Sequence, residues 1–225
     1  MPAPVSVQQF CGEKVPTSLK QRQLAAPDGT SLNTAWVGSG STVAVLLHQT
    51  DGNGLCGFCS TPSSSLGTGF VWPWSTCATT DSPRAATASR MTRQPRSSLL
   101  RMQPAPRVPR RIALVGASMG GSLVLTVADA TNPDAIVDLS GPAQFGSSDI
   151  TADARHVSMP ALFAFSDQDR ADLTAVRHQL ANMPTEQKLF LTYDSGHGYE
   201  LLRSSGSGKF TSLATRVANW VKHPS

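Results

Sequence analysis

The chain has 225 residues, of which 40% are hydrophobic and 15% charged, with a formal net charge of +4. That length suits one domain with a sizeable core, and the mild charge, with no basic cluster among aromatic residues, speaks against a nucleic-acid groove. No apolar run reaches membrane-spanning length.

Residues 1–27 are polar and weakly patterned. The opening MPAPVSVQQFCGEKV has no basic start followed by an apolar core, so it does not read as a signal peptide. A cytoplasmic protein is the default expectation, with export only through a leader upstream. Pro27-Asp28-Gly29 marks a turn. Residues 30–37 read as a strand and 38–41 as a turn. Residues 42–47 (TVAVLL) are a β-branched apolar run, best read as a buried strand. It runs into His48-Gln49-Thr50-Asp51-Gly52, a polar loop where open α/β sheets place ligands.

Cys56 and Cys59 form a C-x-x-C. A zinc site would need a second pair or histidines at ligand spacing, and a redox motif would open a helix after a strand. Neither context is present, so these two, with Cys11 and Cys77, read as loop cysteines. Residues 59–110 carry many Pro, Ser, Thr and Arg, with Asp81 as their only acid. No strand or amphipathic helix stands out there, which is unusual for a stretch of that size inside one domain. It is expected to add no strand to the sheet, leaving strand 42–47 paired on one side only.

Next comes RRIALVGASMGGSLVLTVADA, residues 110–130. Its apolar run 112–115 suits a buried strand, and residues 122–130 suit a buried helix. Between them lies Gly116-Ala117-Ser118-Met119-Gly120, a G-x-S-x-G. Strand, tight turn with a central serine, then helix is the context of a nucleophile elbow. Gly116 and Gly120 lack the Cβ that would clash in so tight a turn. The helix start presents N–H groups and a partial positive charge to a developing anion.

Residues 135–139 form another short strand, closed by Ser140-Gly141-Pro142. Residues 161–165 (ALFAF) form the next, followed by Ser166-Asp167-Gln168-Asp169. Residues 170–183 have helical spacing, with Leu173, Val176 and Leu180 on one face. Residues 188–193 (KLFLTY) are a strand that leads into Asp194-Ser195-Gly196-His197-Gly198. Residues 210–221 close the chain as an amphipathic helix. Alternating strands and helices imply an α/β domain with a mostly parallel sheet covered on both faces.

The order Ser118, acid after a later strand, histidine after the last strand carries a chemistry. A serine hydroxyl needs a base to take its proton, and the base needs a carboxylate to fix its tautomer. His197 is the best base, in a Gly-flanked loop straight after a strand. His48, His156, His178 and His223 lack that placement.

These motifs together resemble the α/β-hydrolase family: the HQTDG loop after TVAVLL, the GASMG elbow, PALFAFSDQD and SGHG. The resemblance covers most of residues 28–221. It implies a Ser-His-acid triad and an oxyanion hole of two backbone N–H groups, one from Met119 and the other from Gln49 or Thr50. For the acid, the family pattern runs from a strand-initiating proline to an aspartate nine residues on, which matches Pro160 and Asp169. Asp167 and Asp138 are the rivals.

The family also has a helix, a strand ending in D-x-R-x-x-G and a second helix where residues 59–110 stand. Writing G/C-rich codons for 70–83 and reading them from the third base of the Phe70 codon gives RVALVDLRDYGLA, a strand with the expected loop. The block therefore reads as frame-shifted relative to the family, with a disordered insertion as the alternative. The function implied is a serine hydrolase acting on a small-molecule ester, less readily an amide. No metal or organic cofactor is implied. A catalytically impaired or purely binding protein of the same fold is the second reading.

Overall fold

The computed structural model describes residues 19–25, 31–36, 41–50, 71–72, 110–146, 148–204, 207 and 209–224. Its strands are β1 (Lys20–Ala25), β2 (Ser31–Trp36), β3 (Thr42–Leu47), β4 (Val71–Trp72), β5 (Arg111–Ala117), β6 (Ala135–Leu139), β7 (Gln144–Phe145), β8 (Ser148–Asp149), β9 (Ala161–Ser166) and β10 (Lys188–Tyr193). Its helices are α1 (Met119–Thr131), α2 (Ile150–Asp153), α3 (Arg170–Leu180) and α4 (Ser212–Lys222).

The five apolar runs form one sheet in the order β3-β5-β6-β9-β10, with every neighbouring pair parallel. Their composition explains it. Parallel strands are buried on both faces, and β6 and β9 are buried at every position. Side chains alternate between two cores. Val115, Val137, Leu162 and Ala164 pack with Leu213, Val217 and Trp220 of α4. Leu114, Ile136, Phe163 and Phe165 pack with Val124 and Leu125 of α1 and Val176 of α3. Phe163 and Phe165 are almost wholly enclosed. Such a side chain contributes about 1.5–3 kcal/mol by leaving water.

The flanking helices follow from local chemistry. α4 starts at Thr211, whose hydroxyl accepts from Ala214 N. Its apolar positions Leu213, Val217 and Val221 recur every four residues and form the buried face. α1 ends at Asn132, in the left-handed conformation with φ 44° and its amide on Ala128 C=O at 2.8 Å.

The second sheet is antiparallel, β1-β2-β4. β1 has no counterpart in the sequence reading. KQRQLA lacks apolar alternation, and it occupies an edge, where a polar strand is tolerated. Within 59–110, only Val71, Trp72 and Arg110 are described; the rest of that block, its frame and the four cysteines lie outside the described residues. The expectation concerns the main sheet; the strand described within this block, β4, belongs to the second sheet. Val71 and Trp72 pair with Trp36 and Ala35 of β2. Both residues favour strands, and the next residue, Pro73, has no N–H for a ladder. β4 also lies beside β3. Among the described residues, however, the β3 ladder runs only to β5, as expected.

Because all five strands of the main sheet are parallel, their carboxyl ends share one edge. The segments that leave that edge begin at His48, Ser118, Ser140, Asp167 and Asp194.

Candidate active site

Ser118 is the pivot between β5 and α1. It has φ 49° and ψ −117°, a conformation that costs a non-glycine residue energy. The turn is tight enough that a Cβ on Gly116 would strike the Gly120 carbonyl, and one on Gly120 would strike Leu47 C=O. Ser118 stands at the N-cap position of α1, yet its hydroxyl does not cap the helix. Its amide donates to Leu139 C=O at 2.8 Å, which fastens the elbow to β6. The serine is half-buried, and Met119 behind it is buried.

Asp169 and His197 meet. His197 Nδ1 lies 2.8 Å from Asp169 Oδ1. An ionised carboxylate can only accept, so Nδ1 carries the proton and Nε2 holds the basic lone pair. The histidine side chain is 43% exposed and the aspartate 9%. Asp169 Oδ2 accepts from Ser140 Oγ at 2.8 Å, Ser166 N at 3.0 Å and Ser166 Oγ at 3.2 Å. Burial raises the carboxyl pKa, but the Ser166 amide, the hydrogen bonds from His197 and Ser140 and the charge His197 carries when protonated together outweigh it. The net result lies below the ordinary 3.8. Asp169 precedes α3 as its N-cap residue, but its side chain makes no cap hydrogen bond. The carboxylate is turned to the histidine instead.

The rival acids lie elsewhere. Asp167 is exposed. Asp138 is fully buried beneath the elbow, with Oδ1 accepting Gly141 N at 2.7 Å. Its Oδ1 lies against Gly121 and Gly141.

Elbow and histidine loop abut. A Cβ on Gly198 would lie 3.3 Å from Ala117 Cβ and would strike Gln49 Oε1. Gly198 has φ 59°, which suits glycine alone without strain. Gln49 is buried, and its Oε1 accepts Tyr199 N at 3.3 Å. The loop after β3 thus touches the loop that carries His197.

That loop also has fixed peptide planes. His48 C=O accepts Gly120 N at 3.1 Å. The Gln49 N–H, opposite it across a trans peptide, therefore points away from the start of α1. Gln49 C=O is 2.6 Å from His48 Nδ1, which must be the donor. The Thr50 N–H accordingly points away from the His48 ring. Thr50 itself is exposed.

Ser140 and Ser166, which hold the carboxylate, were not singled out by the sequence reading. Ser-Gly-Pro reads as a turn, and nothing local marks a hydroxyl aimed at a residue 29 positions away. Among the described residues no cluster of three or more His, Cys, Asp or Glu is arranged as a metal site, and no helix is long and apolar enough to cross a membrane.

No protein-family model matches the chain, and no curated protein matches it in sequence. Solved structures do match in shape. A dienelactone hydrolase from Anabaena variabilis has a TM-score of 0.67 at 16% identity, over 92% of this chain and 99% of that one. An esterase from Pyrococcus furiosus has a TM-score of 0.69 at 11% identity, over 91% of each chain. An α/β serine hydrolase without lid from Xanthomonas campestris has a TM-score of 0.59 at 17% identity, over 93% of this chain and 94% of its own. The chain has the α/β-hydrolase fold.

Proposed function

From this fold we propose that the protein is a serine hydrolase that cleaves carboxylic esters of small molecules through an acyl-enzyme on Ser118. The observation that carries the reading is the Asp169–His197 hydrogen bond, 2.8 Å long, formed by a loop that abuts a strained G-x-S-x-G elbow. The structural neighbours named as esterases and hydrolases support ester hydrolysis in general terms.

In this reading Ser118 Oγ attacks the ester carbonyl while His197 Nε2 takes its proton. Asp169 keeps the proton of the resting imidazole on Nδ1 and stabilises the imidazolium as it forms. The carbonyl oxygen becomes an anion and is met by backbone N–H groups, each worth about 3 kcal/mol in the transition state. Met119 N–H supplies one, at the start of α1. Of the two candidates for the other, the peptide planes favour Thr50, since the Gln49 N–H points away from the elbow helix. Collapse of the intermediate expels the alcohol, which takes its proton from His197. Water then attacks the acyl-enzyme with His197 again as base, and the carboxylic acid leaves.

The test is reaction with a fluorophosphonate probe and turnover of p-nitrophenyl esters of graded acyl length. The expected result is covalent labelling at Ser118, abolished in Ser118→Ala, with ester turnover lost in parallel. A folded protein that neither labels nor turns over any ester would favour a binding protein of the same fold.

A further inference from the structure

The end of β6 touches both sides of the proposed relay. Leu139 C=O holds the Ser118 amide. The very next residue, Ser140, holds Asp169 Oδ2 through Oγ at 2.8 Å. Ser140 is 2% exposed, and its amide donates to Ala164 C=O of β9 at 2.9 Å.

Its backbone is unusual. With φ 57°, Ser140 lies in the left-handed region that L side chains rarely adopt. A glycine would take this conformation without strain but would bring no hydroxyl. Strain of this kind persists where the surroundings over-determine it. Here the surroundings are Ala164 C=O on the amide, Asp169 on the hydroxyl, and Asp138 Oδ1 on the amide of the next residue, Gly141. The other two donors to Asp169 Oδ2 both come from Ser166, on β9, the strand that leads to Asp169 itself. Ser140 brings its donor from β6, the strand on which the elbow hangs.

We infer that Ser140 is a positioning residue: its strained turn aims a hydroxyl at the outer oxygen of Asp169 and so keeps the inner oxygen on His197, in register with Ser118. The inference rests on the roles proposed above for Ser118, Asp169 and His197. It goes beyond them in making a residue outside the relay responsible for its alignment.

Two substitutions in the full chain separate strain from hydrogen bonding. Ser140→Gly removes both. Ser140→Ala removes the hydroxyl and keeps the strain. Ser140→Gly should melt no lower than wild type, because the left-handed backbone relaxes, while kcat on p-nitrophenyl butyrate falls about tenfold, by analogy with loss of an outer partner of a metal-binding histidine. Ser140→Ala should lose turnover similarly and melt lower. In both, the proton NMR resonance of His197 Nδ1–H should move upfield and exchange faster, since the carboxylate no longer sits firmly on it. A structural role alone would leave that resonance in place. Wild-type kcat with an unchanged resonance in Ser140→Gly overturns the inference. So does a loss of turnover that only tracks the fraction unfolded. Should the wild type turn over no ester, the proposed function falls, while the resonance still decides the role of Ser140.

Discussion

Replacing Asp169 with asparagine probes the site through the identity of one atom. Asp169 Oδ2 accepts from Ser166 N, an amide that can only donate. An asparagine must therefore place its oxygen there, since its NH2 would face that N–H. The NH2 then falls at the Oδ1 position, 2.8 Å from His197 Nδ1 in the native protein. Nδ1 has to turn from donor to acceptor, and the ring proton moves to Nε2. The imidazole then lacks the lone pair that should take the proton of Ser118. The corresponding change in a triad protease lowers kcat about 10⁴-fold, and the same scale is expected here. Stability should change far less. A hydrogen bond to a charged group is worth about 1.5–3 kcal/mol and a neutral one about 1, so the loss is about 0.5–2 kcal/mol. For a chain of 225 residues that lowers Tm by roughly 1–8 °C. The assay is kcat/KM on p-nitrophenyl butyrate beside a thermal melt of the same samples. An Asp169→Asn protein that keeps more than about a tenth of wild-type activity would refute the reasoning, given the drop expected of a wrong tautomer. So would an equal loss on Asp138→Asn with Asp169→Asn intact.

Gly198→Ala should place a methyl against Gln49 Oε1 and Ala117 in a left-handed conformation, lowering stability by about 1–2 kcal/mol and displacing His197; a melt together with kcat would show both losses, and unchanged kcat would count against the contact of the two loops. The Asp169 carboxyl has a lowered folded pKa, so its contribution to stability is full above the unfolded value of about 3.9 and is lost as pH falls through the folded value; the Tm gap between wild type and Asp169→Asn should close below about pH 4, and a constant gap would contradict it. Asn132→Gly should raise Tm by a few degrees or less, because the α1 cap at φ 44° suits glycine better. A gene with the alternative frame restored across residues 70–83 should lengthen the strand beside β2 and raise soluble yield and Tm; a restored chain no more soluble or stable would argue against the frame error.

Much of this architecture could be read from residue types alone. Each strand of the main sheet is an apolar run bounded by turn residues, and 42–47, 135–139 and 188–193 match their observed limits. The elbow was legible because glycine at 116 and 120 has a steric reason that the chain itself displays. Asp169 was separable from Asp167 only through the family pattern; of the three donors on its Oδ2, two come from Ser166 three residues earlier and the third from Ser140, 29 residues away, and nothing in the residue types shows which aspartate they meet. β1 escaped notice because an edge strand needs no apolar face. Ser140 escaped because its reach to Asp169 goes with a left-handed backbone angle, which composition does not reveal.

The way the main sheet is threaded also bears on how it forms. From β5 onward its strands follow one another across residues 118–134, 140–160 and 167–187, none of these connections longer than 21 residues. β3 is different: the 63 residues 48–110 separate it from β5, its partner in the ladder. Bringing together two points that far apart in the unfolded chain costs about 4 kcal/mol in chain entropy, apart from a constant term. The unit that contains Ser118, Asp169 and His197 can therefore condense first, and β3 docks later, bringing His48, Gln49 and Thr50 with it. A refolding chain would pass through a stage at which Ser118, Asp169 and His197 already share one edge of the sheet while the 48–50 loop has yet to arrive. Amide hydrogen exchange pulsed during refolding would show protection at Leu114 and Val137 before Val45.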